Sequence, residues 1–89
     1  MVEATAWFVA SEGLTNAIKH AGDAMVTLRA ECVEGALRVV VADNGRGGAT
    51  LSGSGLRGLT DRVEACGGQL SLRTPAAGGT ELIAVLPCA

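Results

Sequence analysis

Two short runs in the first half of the chain place apolar residues at a period of two, and only a few residues separate them. In AMVTLRAEC, Val26, Leu28, Ala30 and Cys32 alternate with Thr27, Arg29 and Glu31. In ALRVVVAD, Leu37, Val39 and Val41 share a face. A period of two is the pattern of a strand covered on one face, and Val33-Glu34-Gly35 is long enough only for a hairpin connection. The two strands must then be antiparallel, with an apolar face that something else covers. QLSLR and TELIAVLP, joined by PAAGG, supply two more strands near the other end.

The cover comes from two helical runs. Ala4 to Ala21 lacks proline and contains a single glycine, Gly13, and Gly22-Asp23 ends it. With Glu12 set at zero and ~100° per residue, Ala10, Leu14, Ala17, Ile18 and Ala21 form an apolar stripe expected to face the core. Glu12, Asn16, Lys19 and His20 fall on the opposite side. Leu56 to Cys66 carries Leu59, Val63 and Cys66 at helical spacing and stops at Gly67-Gly68. The order is helix, two strands, loop, helix, two strands. It predicts an α/β two-layer sandwich, a largely antiparallel sheet with its helices on one face.

An 89-residue chain makes one domain, residues 1–89. Hydrophobic residues are 48% of it but aromatics only 2%, so the core is aliphatic. A net charge of −2, with signs interspersed, argues against a nucleic-acid surface or a polybasic membrane patch. No apolar run approaches the roughly 18 residues of a membrane span, and no secretory leader is expected. Cys32, Cys66 and Cys88 lie far apart without a C-x-x-C, which favours reduced cytosolic thiols over a zinc site or disulfide framework.

Between the second strand and the second helix runs DNGRGGATLSGSGLRG, residues 43–58. Its GSGLRG fits G-x-G-x-x-G, yet three familiar readings of that pattern fail. No strand immediately precedes it and no acid follows about 20 residues on, as a dinucleotide site requires. A protein-kinase domain is far longer, and the Gly-Lys-Ser/Thr of a P-loop is absent. Asp43 says more. It has the parity of Leu37, Val39 and Val41, so its carboxylate points toward the apolar face and needs donors there. Either it turns outward to cap Gly45 or Gly47, or it meets a ligand lying against glycines that allow close approach. The polar side of the first helix has two readings as well. It is a solvated face, or Asn16 completes a Mg²⁺ shell of water and phosphate, Glu12 orients a water and Lys19 neutralises phosphate. Phe8 and Val9 beside the stripe favour its being partly covered.

Taken together, E-x-x-x-N with K-H (Glu12, Asn16, Lys19, His20), D-x-G-x-G (Asp43, Gly45, Gly47), G-x-G-L-x-G-L (Gly53 to Leu59) and G-T (Gly79, Thr80) resemble the ATP-binding domain of bacterial sensor histidine kinases. These belong to the GHKL superfamily with DNA gyrase, a heat-shock chaperone and a mismatch-repair ATPase. The stretch GLRGLTDRVEACGG looks most like the branch that partners LuxR-type response regulators. The resemblance covers Trp7 to Pro87 and implies a Bergerat-type sandwich binding ATP and Mg²⁺. It implies that Asp43 accepts a hydrogen bond from the adenine amine, supported by Thr80, and that Asn16 ligates Mg²⁺. Lys19 and His20 lie near the phosphates. Gly45, Gly47, Gly53, Gly55, Leu56 and Gly58 line the nucleotide loop and the start of the following helix. Glu12 is the candidate catalytic acid.

The resemblance further implies an N-terminally truncated, monomeric cytoplasmic domain, which can belong to a membrane-bound sensor. The dimerisation domain bearing the phosphoacceptor histidine is separate, and His20 is not that acceptor. Two alternatives stay open: an anti-sigma-type serine kinase and a non-catalytic nucleotide-binding module.

Overall fold

The computed structural model describes residues 2–21, 25–45, 56–75 and 78–88, with the side chains of residues 19–21 excepted. Helix α1 spans Val2–Ala21, strands β1 and β2 span Val26–Val33 and Ala36–Asp43, helix α2 spans Leu56–Ala65, and strands β3 and β4 span Gln69–Arg73 and Thr80–Pro87. The strands form one sheet in the order β1-β2-β4-β3, and each pairing is antiparallel. The α/β sandwich expected from the alternation is the fold observed.

The hairpin is tighter than expected. Val33 pairs with Ala36, leaving Glu34 and Gly35 as a two-residue turn with φ of 49° and 79°. Positive φ at both central positions matches the twist of the strands it joins. At the far end of α2, the Gly68 amide donates to Val63 O and the Gly67 amide to Glu64 O, both at 2.9 Å. With Gly67 at φ 80°, this is a Schellman cap, and Gly67-Gly68 ends the helix as the sequence indicates.

One face of the sheet carries the core. Val39, Ala84 and Leu70 form one cross-strand row, Val41, Leu82 and Leu72 the next, and Leu37 pairs with Leu86. Val9 from α1 and Leu56, Leu59 and Val63 from α2 close over these rows. The helices are also clasped to each other: Thr5 Oγ1 lies 3.0 Å from Cys66 Sγ, and the Arg62 guanidinium sits 4.2 Å over the Phe8 ring.

Helix α1 meets the sheet on a different line from the one its apolar stripe suggested. Val9 and Gly13 are buried, while Ile18, expected inward, is 67% exposed and Trp7 is 76% exposed. Of the expected stripe, Leu14 and Ala17 pack only at the margin of the core. The inward line is turned by about 100°, toward Glu12 and Asn16. The reason is Gly13. A Cβ there would stand 2.9 Å from Val41 Cγ2 and 3.2 Å from Leu82 Cδ2, so helix and sheet approach most closely where the side chain is missing. A glycine inside a helix costs about 1 kcal/mol relative to alanine, and here it permits that contact.

Candidate functional site

Asp43 is the last residue of β2, where the sheet stops. It pairs with Val26 on one side and Thr80 on the other, so the Asp43 and Thr80 side chains are neighbours on the core face, at its margin. Both are half-buried. The Gly45 amide donates to Asp43 Oδ1 at 2.8 Å, the turn-capping bond that was one of the two sequence readings. It does not exhaust the group, because a carboxylate offers about four acceptor sites. The bond also fixes the carboxylate's orientation.

Two residues outside the sequence-derived site hold this corner in place. Asn44 ties the start of β1 down: the Met25 amide donates to Asn44 Oδ1 at 2.8 Å, and the Asn44 amide donates to Met25 O at 3.2 Å. Gly79 is buried at φ 86°, and any side chain on it would run into the carbonyl oxygen of Asp43. The signal for Gly79 was present in the Gly-Thr that precedes β4. Asn44 left none, because its partner lies 19 residues away.

Helix α1 runs toward the same end of the sheet, since it finishes just before Met25, which Asn44 holds. Beyond the Gly13 contact its inward line therefore continues toward Asp43, and there the side chains become polar. Asn16 is half-buried, and its Nδ2 is buried without a hydrogen-bond partner among the described residues. A buried donor left unsatisfied costs about 1–3 kcal/mol, so this amide calls for a partner that the described residues do not supply. Glu12, also half-buried, lies one turn earlier. Glu12 and Asn16 thus lie toward the sheet side of the helix, the reverse of the placement expected from the apolar stripe.

The remaining candidates divide. Leu56 is 7% exposed within the core, so only its backbone at the start of α2 is available to a ligand. Gly58 is exposed on α2, and an added Cβ would meet nothing within 4 Å. Gly47, Gly53 and Gly55, together with the rest of the loop between Gly47 and Gly53, lie outside the described residues, as do the side chains of Lys19 and His20.

The donor set suits Mg²⁺ in one specific way. Among the described residues no three His, Cys, Asp or Glu side chains cluster as a self-sufficient metal site. Mg²⁺ commonly keeps several waters and takes one or two protein ligands plus substrate phosphates. A carboxamide such as Asn16 presents a carbonyl acceptor and NH₂ donors side by side, which fits a cation and a phosphate oxygen together.

Both the sequence and the fold have relatives among known proteins. Residues 2–89 match the family model of the histidine kinase-, DNA gyrase B- and HSP90-like ATPases, and the chain belongs to that family. It is 39% identical over 71 residues to the signal transduction histidine-protein kinase/phosphatase UhpB of Salmonella typhimurium, covering 76% of this chain and 14% of UhpB. The histidine kinase domain of the blue-light activated kinase from Erythrobacter litoralis EL346 superposes with a TM-score of 0.76 at 33% identity, over 90% of this chain and 42% of that one. The ATP binding domain of PrrB from Mycobacterium tuberculosis does so at 0.78 and 26%, over 97% and 68%. Full-length ShkA, solved with AMPPNP, gives 0.75 and 26%, over 92% and 21%. The chain is thus a histidine kinase-type ATP-binding domain, spanning about a seventh of UhpB and under half of the Erythrobacter kinase domain.

Proposed function

We propose that this domain binds ATP at the corner between α1 and the Asp43 end of the sheet, and presents its γ-phosphoryl group to a histidine on a separate helical dimerisation domain. The observation that carries the reading is Asn16, whose buried Nδ2 has no partner among the described residues, on the helix line that leads to Asp43. Residues 1–89 would form the catalytic domain alone, with the acceptor domain supplied by the rest of the kinase.

The Asp43 carboxylate, oriented by the Gly45 amide, accepts from the adenine amine, and Thr80 beside it supports that contact. Gly45, and beyond it Gly47, Gly53 and Gly55, let the backbone approach the nucleotide. The amides at the start of α2, from Leu56 to Gly58, face phosphate at a helix N-terminus, where backbone donors and the helix dipole favour anions. Lys19 and His20 add donors near the phosphates. Asn16 would hold Mg²⁺, which when bound neutralises phosphate charge and aligns the transferred group. Glu12 orients the approach to the γ-phosphate. Positioning and charge neutralisation supply most of the catalysis in such transfers. The regulator downstream is of the LuxR type, a reading supported by the GLRGLTDRVEACGG stretch. The domain works on the cytoplasmic side, where ATP is available. No described helix is long and apolar enough to cross a membrane.

Incubation with γ-labelled ATP and a histidine-bearing helical domain tests this reading. Acid-labile label should appear on the added domain and none on this chain, His20 included. Acid-stable label would instead mean transfer to a serine.

A further inference from the structure

The sequence separates Cys32 and Cys88 by more than half the chain, yet the sheet brings them together at the end remote from Asp43. Cys32 pairs with Leu37 and Leu37 pairs with Leu86, so the three side chains share one face. The Cys88 amide donates to Gly35 O at 2.7 Å, carrying the β2–β4 ladder one step past the Ala36–Pro87 pair. Cys88 is two residues beyond Leu86 and therefore on that same face, beside the hairpin turn that follows Cys32. The Cys88 thiol lies close enough to Cys32 for the two to interact. Burial, then this interaction with Cys32, holds the Cys88 thiol above its ordinary pKa. Cys32 is exposed, Cys88 is half-buried, and both are free. Nothing in the proposed nucleotide site uses them.

We propose that Cys32 and Cys88 are a redox-sensitive pair that peroxide converts to an intramolecular disulfide, stapling the β1–β2 hairpin to the end of β4. The exposed Cys32 thiolate attacks hydrogen peroxide, giving a sulfenic acid and releasing hydroxide. The Cys88 sulfur then attacks the Cys32 sulfur; the S–S bond forms, the S–O bond breaks, and water leaves with the Cys88 proton. A dithiol reductant reverses the step by exchange. In a reducing compartment such pairs are transient and signal oxidation rather than support folding. The bond closes a loop that contains β2, α2, β3 and β4, so oxidation restricts the unfolded chain more than the folded one. Six residue steps, about 20 Å along β2, separate Leu37 beside Cys32 from Asp43, so nucleotide affinity should change little.

The test is mass spectrometry with thiol alkylation on the intact chain before and after hydrogen peroxide, followed by peptide mapping. The expected product is a monomer that has lost two hydrogens, keeps Cys66 alkylatable and yields a Cys32–Cys88 linked peptide. Its Tm should rise by at least about 5 °C and return on reduction. C32S and C88S should each abolish the linked peptide and the shift, while C66S should leave both. Only oxygenated thiols, an intermolecular dimer or a linkage through Cys66 would overturn the proposal.

Discussion

Asp43 and Asn16 are the two residues on which the nucleotide reading rests, and each makes a separate demand. The second acceptor position of Asp43 is suited to an amine. Adenine offers one at the edge assigned to it, whereas guanine would bring a carbonyl oxygen against the carboxylate. Asp43→Ala should therefore weaken ATP binding by about 10- to 100-fold, roughly 1.4–2.7 kcal/mol, and leave GTP binding nearly unchanged. Competition titrations of both nucleotides against both proteins measure this, and equal losses would remove Asp43 from base recognition. Because the variant also loses the Gly45 bond, its stability should fall by about 1 kcal/mol, which a denaturant titration reads separately. Asn16 behaves the other way. Its Nδ2 has no partner among the described residues, so Asn16→Ala should leave nucleotide-free stability unchanged or raise it by about 1 kcal/mol. The same variant should bind ATP more weakly in Mg²⁺ than the unaltered chain does, with a smaller difference in chelator. A large stability loss without nucleotide would mean that Asn16 is a structural residue.

Among the elements, α1 shows where sequence reading succeeded and where it failed. Its existence, its extent and the polar stripe Glu12–Asn16 could all be read from periodicity. Its rotation could not, because alanines and large apolar residues surround much of the first half and give no clear direction. The residue that fixes the rotation is Gly13, which a hydrophobicity pattern treats as empty. The strands divide. The alternation of β1 predicts a covered apolar face, yet β1 is an edge strand of the sheet and is exposed along nearly all of its length. β2 buries Val39, Val40 and Val41 in succession, and Asp43 inherits its inward parity from Val39 and Val41. The pairing of β2 with β4 across the middle of the sheet, which places Thr80 beside Asp43, joins distant segments and has no local signal. The rotated contact line has a measurable consequence. Gly13→Val forces a branched side chain against Val41 and Leu82 and should cost about 1–3 kcal/mol. Ile18→Ala, at a 67% exposed position, should stay within about 0.5 kcal/mol. Urea unfolding of the two variants decides between the orientations, since an inward Ile18 would cost about 2–5 kcal/mol on truncation.

Among the described residues the domain divides into a closed half and a corner with polar groups. Around Leu59, Val63, Ala84 and Leu86 the core is fully covered, whereas near Asn16 and Asp43 polar groups face positions the described residues do not fill. The covered half is the scaffold on which the proposed nucleotide corner is built. If the corner is a Mg·ATP site, binding to the folded state alone must also stabilise the fold by mass action. Calorimetric titration of the intact chain with ATP, in Mg²⁺ and again in chelator, examines the corner itself. The expected result is saturable one-to-one binding that tightens when Mg²⁺ is present. Absence of saturable binding, or binding indifferent to Mg²⁺, would contradict it.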